Sequence, residues 1–223
     1  MMKTISKNTE KSLINEFIDA LKKDALKKKK KKKRFSLVLT GGDSPINLYQ
    51  ELAKHKIDWK NIDLFWGDER FVSQKSKNSN YKLAYDILIK KIKIKKKNLF
   101  PVKTNMKNAS KSSENYSNLI KKYFKKKSIS FDYFLLGMGN DGHIASIFPN
   151  SIELQNKFIT KPIYRKDFAR ITLSLNIINN SKKTILWLNS KLKSRKFNQL
   201  KLKGKKIPIN KLNKKITTVY KIK

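Results

Sequence analysis

The chain contains no cysteine, which excludes a disulfide framework, a thiolate metal site and a cysteine nucleophile. It has two histidines, His55 and His143, too few for a histidine-based metal centre. Acidic residues are scarce, 16 against 54 lysines and arginines, giving a formal net charge of +38. No apolar run approaches a membrane span in length, and the opening MMKTISKNTEKSL has no apolar signal core. A soluble, cytoplasmic chain with no membrane partner is expected. Arginine is rare too: only five of the 54 cations are arginine, whereas sequence-specific nucleic-acid readers rely on arginine contacts and interleaved aromatics.

What is present suffices for a folded domain. Hydrophobic residues make up 39% of 223, and a chain of this length buries roughly 70% of its unfolded surface. The lysines cluster in runs at 27–33, 95–97, 125–127 and 205–206, between better patterned segments. Such runs read either as solvated loops and helix ends or as a surface selected for polyanions. On either reading the field favours an anionic small substrate and non-specific nucleic-acid binding at low salt.

Apolar spacing predicts a helix from Thr9 to Leu26, with Leu13, Ile14, Phe17, Ile18, Leu21 and Ala25 on one face. Phe35–Thr40 reads as a buried strand, and Ser44 and Pro45 read as N-cap and first residue of a helix through Leu52. A strand over Ile62–Trp66 precedes helices over Asn80–Lys91 and Ser113–Lys125, with a short strand and turn within 95–104. Phe131–Leu136 is continuously apolar but for one charge, as in a central parallel strand covered on both faces. Further strands are expected at Ile171–Leu175, Thr184–Leu188 and Ile216–Tyr220, and a helix over Leu192–Leu202. This alternation predicts a single-domain α/β fold, Rossmann-like, with a largely parallel sheet flanked by helices.

Three polar clusters follow directly on predicted strands, where open α/β sheets bind ligands. Gly41-Gly42-Asp43-Ser44-Pro45 can form an anion cradle from backbone N–H groups, or an ordinary strand–helix turn. Gly67-Asp68-Glu69-Arg70 offers an arginine for a phosphate or an oxyanion, or a surface ion pair. Gly137-Met138-Gly139-Asn140-Asp141-Gly142-His143 spells GxGxxG, but Pro149 leaves room for barely two helical turns and no following acid sits at the required place. A dinucleotide is therefore not expected. The segment instead places His143 on a glycine-rich loop with Asp141 nearby, suited to a general base. His55, in a polar KHK turn, reads as solvated.

In this order the clusters resemble the 6-phosphogluconolactonase family. The carriers are Gly41–Pro45 (family GGSTP), Phe65–Arg70 followed by Ser79-Asn80-Tyr81 (FWGDER…SNY), Leu136–Pro149 (LGMGxDGHxASLFP) and Arg170–Leu175 (RITLTL). The related glucosamine-6-phosphate deaminases share DGHIA but continue FNEP, where this chain has Ser146-Ile147-Phe148-Pro149. The resemblance implies hydrolysis of a sugar-phosphate lactone in the oxidative pentose phosphate pathway, without metal or organic cofactor. His143 would activate water, with Asp141 orienting the imidazole or shaping the loop, and Arg70 or loop N–H groups would hold the oxyanion. Gly41, Gly42, Asp43 and Ser44, with Arg170 and Lys193, would hold the phosphate. Two departures stand out: Asp43 replaces a loop serine, and Ser190 replaces the glycine ahead of Lys193. The competing readings are a sugar-phosphate isomerase or deaminase, and a basic nucleic-acid-binding protein on a relict enzyme scaffold.

Overall fold

The computed structural model describes residues 2–125, 128–151, 158–202, 204 and 206–223. Lys126, Lys127 and Lys205 of the lysine runs lie outside the described residues. The first strand, β1 (Lys3–Lys7), has no strong apolar alternation to announce it. It is only partly buried and pairs on one side alone. Helix α1 (Glu10–Lys30) is N-capped by Thr9, whose side chain accepts from the Ser12 N–H at 3.2 Å. Its buried face is the predicted one: Leu13, Ile14, Phe17, Ile18, Leu21 and Ala25. The lysine run beginning at Lys27 forms the last turn of α1 and the loop after it, where cations complement the helix dipole.

Next come β2 (Phe35–Leu39), α2 (Ile46–Lys54), β3 (Ile62–Trp66), β4 (Asp68–Arg70) and α3 (Asn80–Ile87). They are followed by β5 (Leu99–Phe100), α4 (Ala109–Tyr123), β6 (Tyr133–Leu136), β7 (Thr160–Ile163) and β8 (Arg170–Leu173). The chain closes with α5 (Leu175–Asn179), β9 (Lys183–Leu188), α6 (Lys191–Lys201) and β10 (Thr217–Ile222). Among the described residues, seven strands form one parallel sheet in the order β1-β10-β9-β6-β2-β3-β5. All residues of β2, β3 and β6 are buried, as continuous apolar strands covered on both faces must be.

Three expectations need correction. Residues 171–175 do not join the parallel sheet: β8 is the middle strand of a small antiparallel sheet, β4-β8-β7, and Ser174 ends it by capping α5. A four-residue strand gives no periodicity from which to tell the two sheets apart. Helix α3 stops at Ile87, and a separate 3-10 turn covers Ile89–Lys91. Ser44 is not the cap of α2: Pro45 occupies that position without a side-chain hydrogen bond, and the helix begins at Ile46.

Strand order reverses between β2 and β6. From β2 the chain builds outward through β3 to β5; it then returns to β6 and builds the other way through β9 to β10. The loops leaving β2 and β6 therefore diverge above the sheet and open a crevice at its carboxyl edge. Two buried tyrosines fix the strand ends beside that crevice. Tyr49 of α2 donates to the Thr40 carbonyl (2.7 Å) and accepts from the Thr40 N–H (3.0 Å). Tyr116 of α4 makes the same pair with Trp66, at 2.9 and 3.0 Å. At the opposite edge Arg34 grips Asp63 through two 2.7 Å bonds, and the Tyr123 hydroxyl donates to the same carboxylate.

Phe17 sits fully buried among the rings of Tyr133, Trp187 and Tyr220, joining α1 to three strands. Phe17→Ala is expected to cost about 3–5 kcal/mol in the free energy of unfolding, measured by chemical denaturation. A loss under about 1 kcal/mol would mean that this cluster does not anchor α1.

Candidate active site

The crevice is a cleft of about 260 Å³. Its walls come from the loop after β2 (Thr40–Ser44), Asp68 and Arg70 of β4, Asn80 of α3, the loop after β6, Arg170 of β8 and Lys193 of α6. All three clusters that follow strands thus reach one cavity, and both Arg70 and Arg170 line it together with His143.

The His143 loop is folded by its own backbone. The Gly139 N–H donates to the His143 carbonyl at 2.9 Å and the Gly142 N–H to the Gly139 carbonyl at 3.0 Å. Gly142 has φ +86°, a conformation open to glycine at little cost. At Gly139 the constraint is space: a Cβ there would lie 2.1 Å from Cε1 of the imidazole, so the ring rests where any side chain would be. Its Nδ1 is 2.6 Å from Oδ1 of Asp141, which also accepts the His143 backbone N–H at 3.0 Å. The ring packs on Phe148 at 4.8 Å between centroids. Hydrogen bonding to His143 holds the Asp141 carboxyl down at about 2, so it is an acceptor at neutral pH and the shared proton resides on Nδ1. In a neutral imidazole the lone pair then lies on Nε2.

The GDER and SNY segments are tied to each other. The buried Glu69 carboxylate accepts from the backbone N–H groups of Arg70, Asn80 and Tyr81 (2.8, 2.7 and 2.8 Å) and from the Ser79 hydroxyl. It thereby serves the N-terminus of α3, although burial pushes its carboxyl up to about 7 against the pull of those donors. Asn80 donates to the carbonyl and carboxylate of Asp68 and lies over Gly41, where a Cβ would collide with the amide at 1.9 Å. The other Asp68 oxygen accepts from the Ser146 hydroxyl at 2.6 Å. Arg70 donates to the Asn78 carbonyl at 2.9 Å.

On the far wall the Lys193 ammonium donates to the Ser44 hydroxyl and, at 3.3 Å, to the Met138 carbonyl. Burial lowers its pKa, opposed by the charge of Asp43. Ser44 therefore serves the cleft through Lys193 rather than capping α2. Ser190, standing in the glycine position noted above, caps α6 by accepting from the Lys193 N–H at 3.2 Å. Asp43 is exposed at the cleft edge, and Gly42 turns the loop at φ +71°. Arg170 is held by a bidentate pair with Asp167 (2.8 and 2.6 Å), which drives the Asp167 carboxyl far below its ordinary range. His55 lies at the C-terminus of α2 and does not line the cleft. Asp68, Asn80, Ser146 and Phe148 also line it. Their residues lay inside the motifs, but nothing in the spacing indicated that Asp68, Asn80 and Ser146 would interlock. Among the described residues, no group of three or more histidines and carboxylates is placed to hold a metal ion. No helix among them is long and apolar enough to cross a membrane.

One oriented imidazole, several cations and glycine-turned loops at the carboxyl edge of a parallel sheet make this an α/β protein with a cationic cleft. The chain belongs to the family described as glucosamine-6-phosphate isomerases/6-phosphogluconolactonase, whose model matches residues 8–220. It is 30% identical to a 6-phosphogluconolactonase of Thermotoga maritima over 99% of this chain and 98% of that one. It is 35% identical to a 6-phosphogluconolactonase of Nostoc over 68% of this chain. The matches to the Nostoc and Synechocystis proteins span 65% and 64% of those proteins' lengths. The crystal structure of the Thermotoga maritima 6-phosphogluconolactonase superposes with a TM-score of 0.84 at 28% identity, covering 99% of both chains. A monomeric glucosamine-6-phosphate deaminase superposes equally well, TM-score 0.84 over 100% of this chain and 98% of that one, at 18% identity, a likeness of fold alone.

The pairing with His143 moves the Asp141 carboxyl from 3.8 to about 2, so the folded chain takes up this proton less readily than the unfolded one. The resulting stabilisation is present above about pH 4 and is lost as pH falls toward 2. Asp141→Asn is expected to flatten the decline in stability over that interval, followed by denaturant titration at successive pH values. An unchanged decline would show that the pair contributes nothing to the fold.

Proposed function

We propose that the chain hydrolyses 6-phospho-D-glucono-1,5-lactone to 6-phosphogluconate in the cytoplasm, with His143 as general base. The observation that carries this reading is the imidazole fixed over Gly139 with Nδ1 on Asp141, leaving Nε2 as its only proton acceptor in a cleft lined by Arg70, Arg170 and Lys193. Nε2 takes a proton from a water molecule as its oxygen attacks the lactone carbonyl. Asp141 stabilises the imidazolium that forms. The tetrahedral oxyanion is met by Arg70 or by loop N–H groups. On collapse, the bond from the carbonyl carbon to the ring oxygen breaks, and the imidazolium returns its proton to that oxygen. The product leaves as an open-chain carboxylic acid, which ionises in water. Asp141 is thus a positioning residue as well as a counter-charge.

The phosphate end is held by the Gly41–Ser44 loop, Lys193 and Arg170. An arriving dianion compensates the partly desolvated Lys193 ammonium and shares the Arg170 guanidinium with Asp167. Asp43 at the rim opposes it. The net charge of +38 draws anions toward the cleft and also supports non-specific polyanion binding that fades as salt rises.

The test is an assay on freshly generated lactone at moderate salt, corrected for spontaneous hydrolysis, with glucosamine 6-phosphate as the comparison substrate. The chain should accelerate lactone opening and leave the amino sugar unchanged; the reverse would assign it to the deaminase branch. His143→Ala should lower kcat by about 100-fold or more with an unchanged circular dichroism spectrum. Near-native turnover would remove the imidazole from the mechanism. Arg170→Ala should act chiefly on KM, raising it about tenfold or more as a charge-assisted contact to phosphate is lost. A fall in kcat at constant KM would assign Arg170 to the reacting centre instead.

A further inference from the structure

A second concave surface lies beside α3, about 690 Å³ in volume, and shares no lining residue with the catalytic cleft. It combines two features. The first is a series of rings rooted in the core: Trp66 is buried, Tyr81 packs against it at 5.3 Å with the planes tilted by 49°, and Tyr85 stacks on Tyr81 at 5.9 Å with 28° between the ring planes. Tyr85 is the outermost of these rings and is 43% exposed. The second is a ring of cations. Lys75 comes from the loop before α3, Lys82 from α3 itself, Lys90 from the 3-10 turn after it and Lys96 from the turn before β5. Asp86, which accepts from Lys82 at 2.5 Å and Lys90 at 3.4 Å, is the one carboxylate among the described residues that line the groove, beside four lysines.

We propose that this groove binds single-stranded nucleic acid, with an unpaired base stacked on the outer face of Tyr85 and the flanking phosphates on the four lysines. The chemistry selects that partner. An exposed ring preorganised by two rings beneath it accepts a flat π-face at little entropic cost, and bases supply such faces irrespective of sequence. Phosphates follow an unpaired base at short intervals, and four lysines line the same groove as the ring. A duplex hides its base faces and can use only the lysines. An acidic peptide can satisfy the charges but leaves the ring unused. The chain's net charge brings strands to the surface, and the stack decides where on it they settle.

The experiment is fluorescence anisotropy with a labelled oligothymidylate of about ten nucleotides and with a duplex of equal length, at low salt. The intact chain should bind the single strand more tightly than the duplex. Tyr85→Leu, which keeps the bulk and loses the π-face, should weaken single-strand binding about tenfold and leave duplex binding unchanged. Tyr85→Phe should bind as the native chain does. The thermal midpoint of each variant reports its fold without reference to catalysis. Native single-strand affinity in Tyr85→Leu overturns the proposal. So does a duplex bound as tightly as the single strand, or polyglutamate displacing the strand as well as unlabelled oligothymidylate of equal charge.

Discussion

The reversal of strand order between β2 and β6 is the constraint from which the site follows. In a parallel sheet every loop leaving a carboxyl end is a candidate ligand contact, but neighbouring loops that turn the same way cover one another. Where β2 feeds β3 and β6 feeds β9, the loops part. The glycine-turned segment after β2 and the histidine loop after β6 become opposite walls of one cleft. They remain joined at the base, where the Gly137 N–H donates to the Thr40 hydroxyl at 3.2 Å and Tyr49 clamps the Thr40 backbone.

Polar groups taken out of water at this edge are nearly all used for positioning. Glu69 serves the start of α3, Asn80 bridges Asp68 and rests against Gly41, and Ser146 donates to Asp68. These bonds connect the small antiparallel sheet, α3 and both principal loops, so the cleft is assembled from segments distant in sequence without needing mobile elements. The cations lie on top of this scaffold, while their partners differ in kind: Lys193 leans on neutral oxygens, Arg170 on a carboxylate. Lys193 is thus held by hydrogen bonds to neutral groups, whereas Arg170 is already in a bidentate ion pair.

Much of the architecture was legible because it depends on local pattern. The 3.6-residue spacing over α1 named its buried face, and the continuous apolar runs of β2, β3 and β6 named the central strands. Legibility failed where tertiary contacts outweigh local preference. Thr172 and its neighbours form a strand in either sheet, and only pairing with β4 and β7 decides which. Ser44 has the chemistry of a helix cap, but the Lys193 ammonium claims its hydroxyl. The strand β1 depends on an edge offered by β10, at the other end of the chain.

The sequence by itself determined the class of fold, the three loops that line the cleft and the imidazole among them, because each rests on residues close together along the chain. It also fixed the glycines: at Gly139 and Gly142 a side chain is excluded by space or by backbone angle. Only the tertiary structure decided which hydroxyl faces Lys193, and that Asp68, Asn80 and Ser146 interlock. Those outcomes depend on distances between segments far apart in sequence, and such distances are set by packing the whole sheet rather than by any local preference.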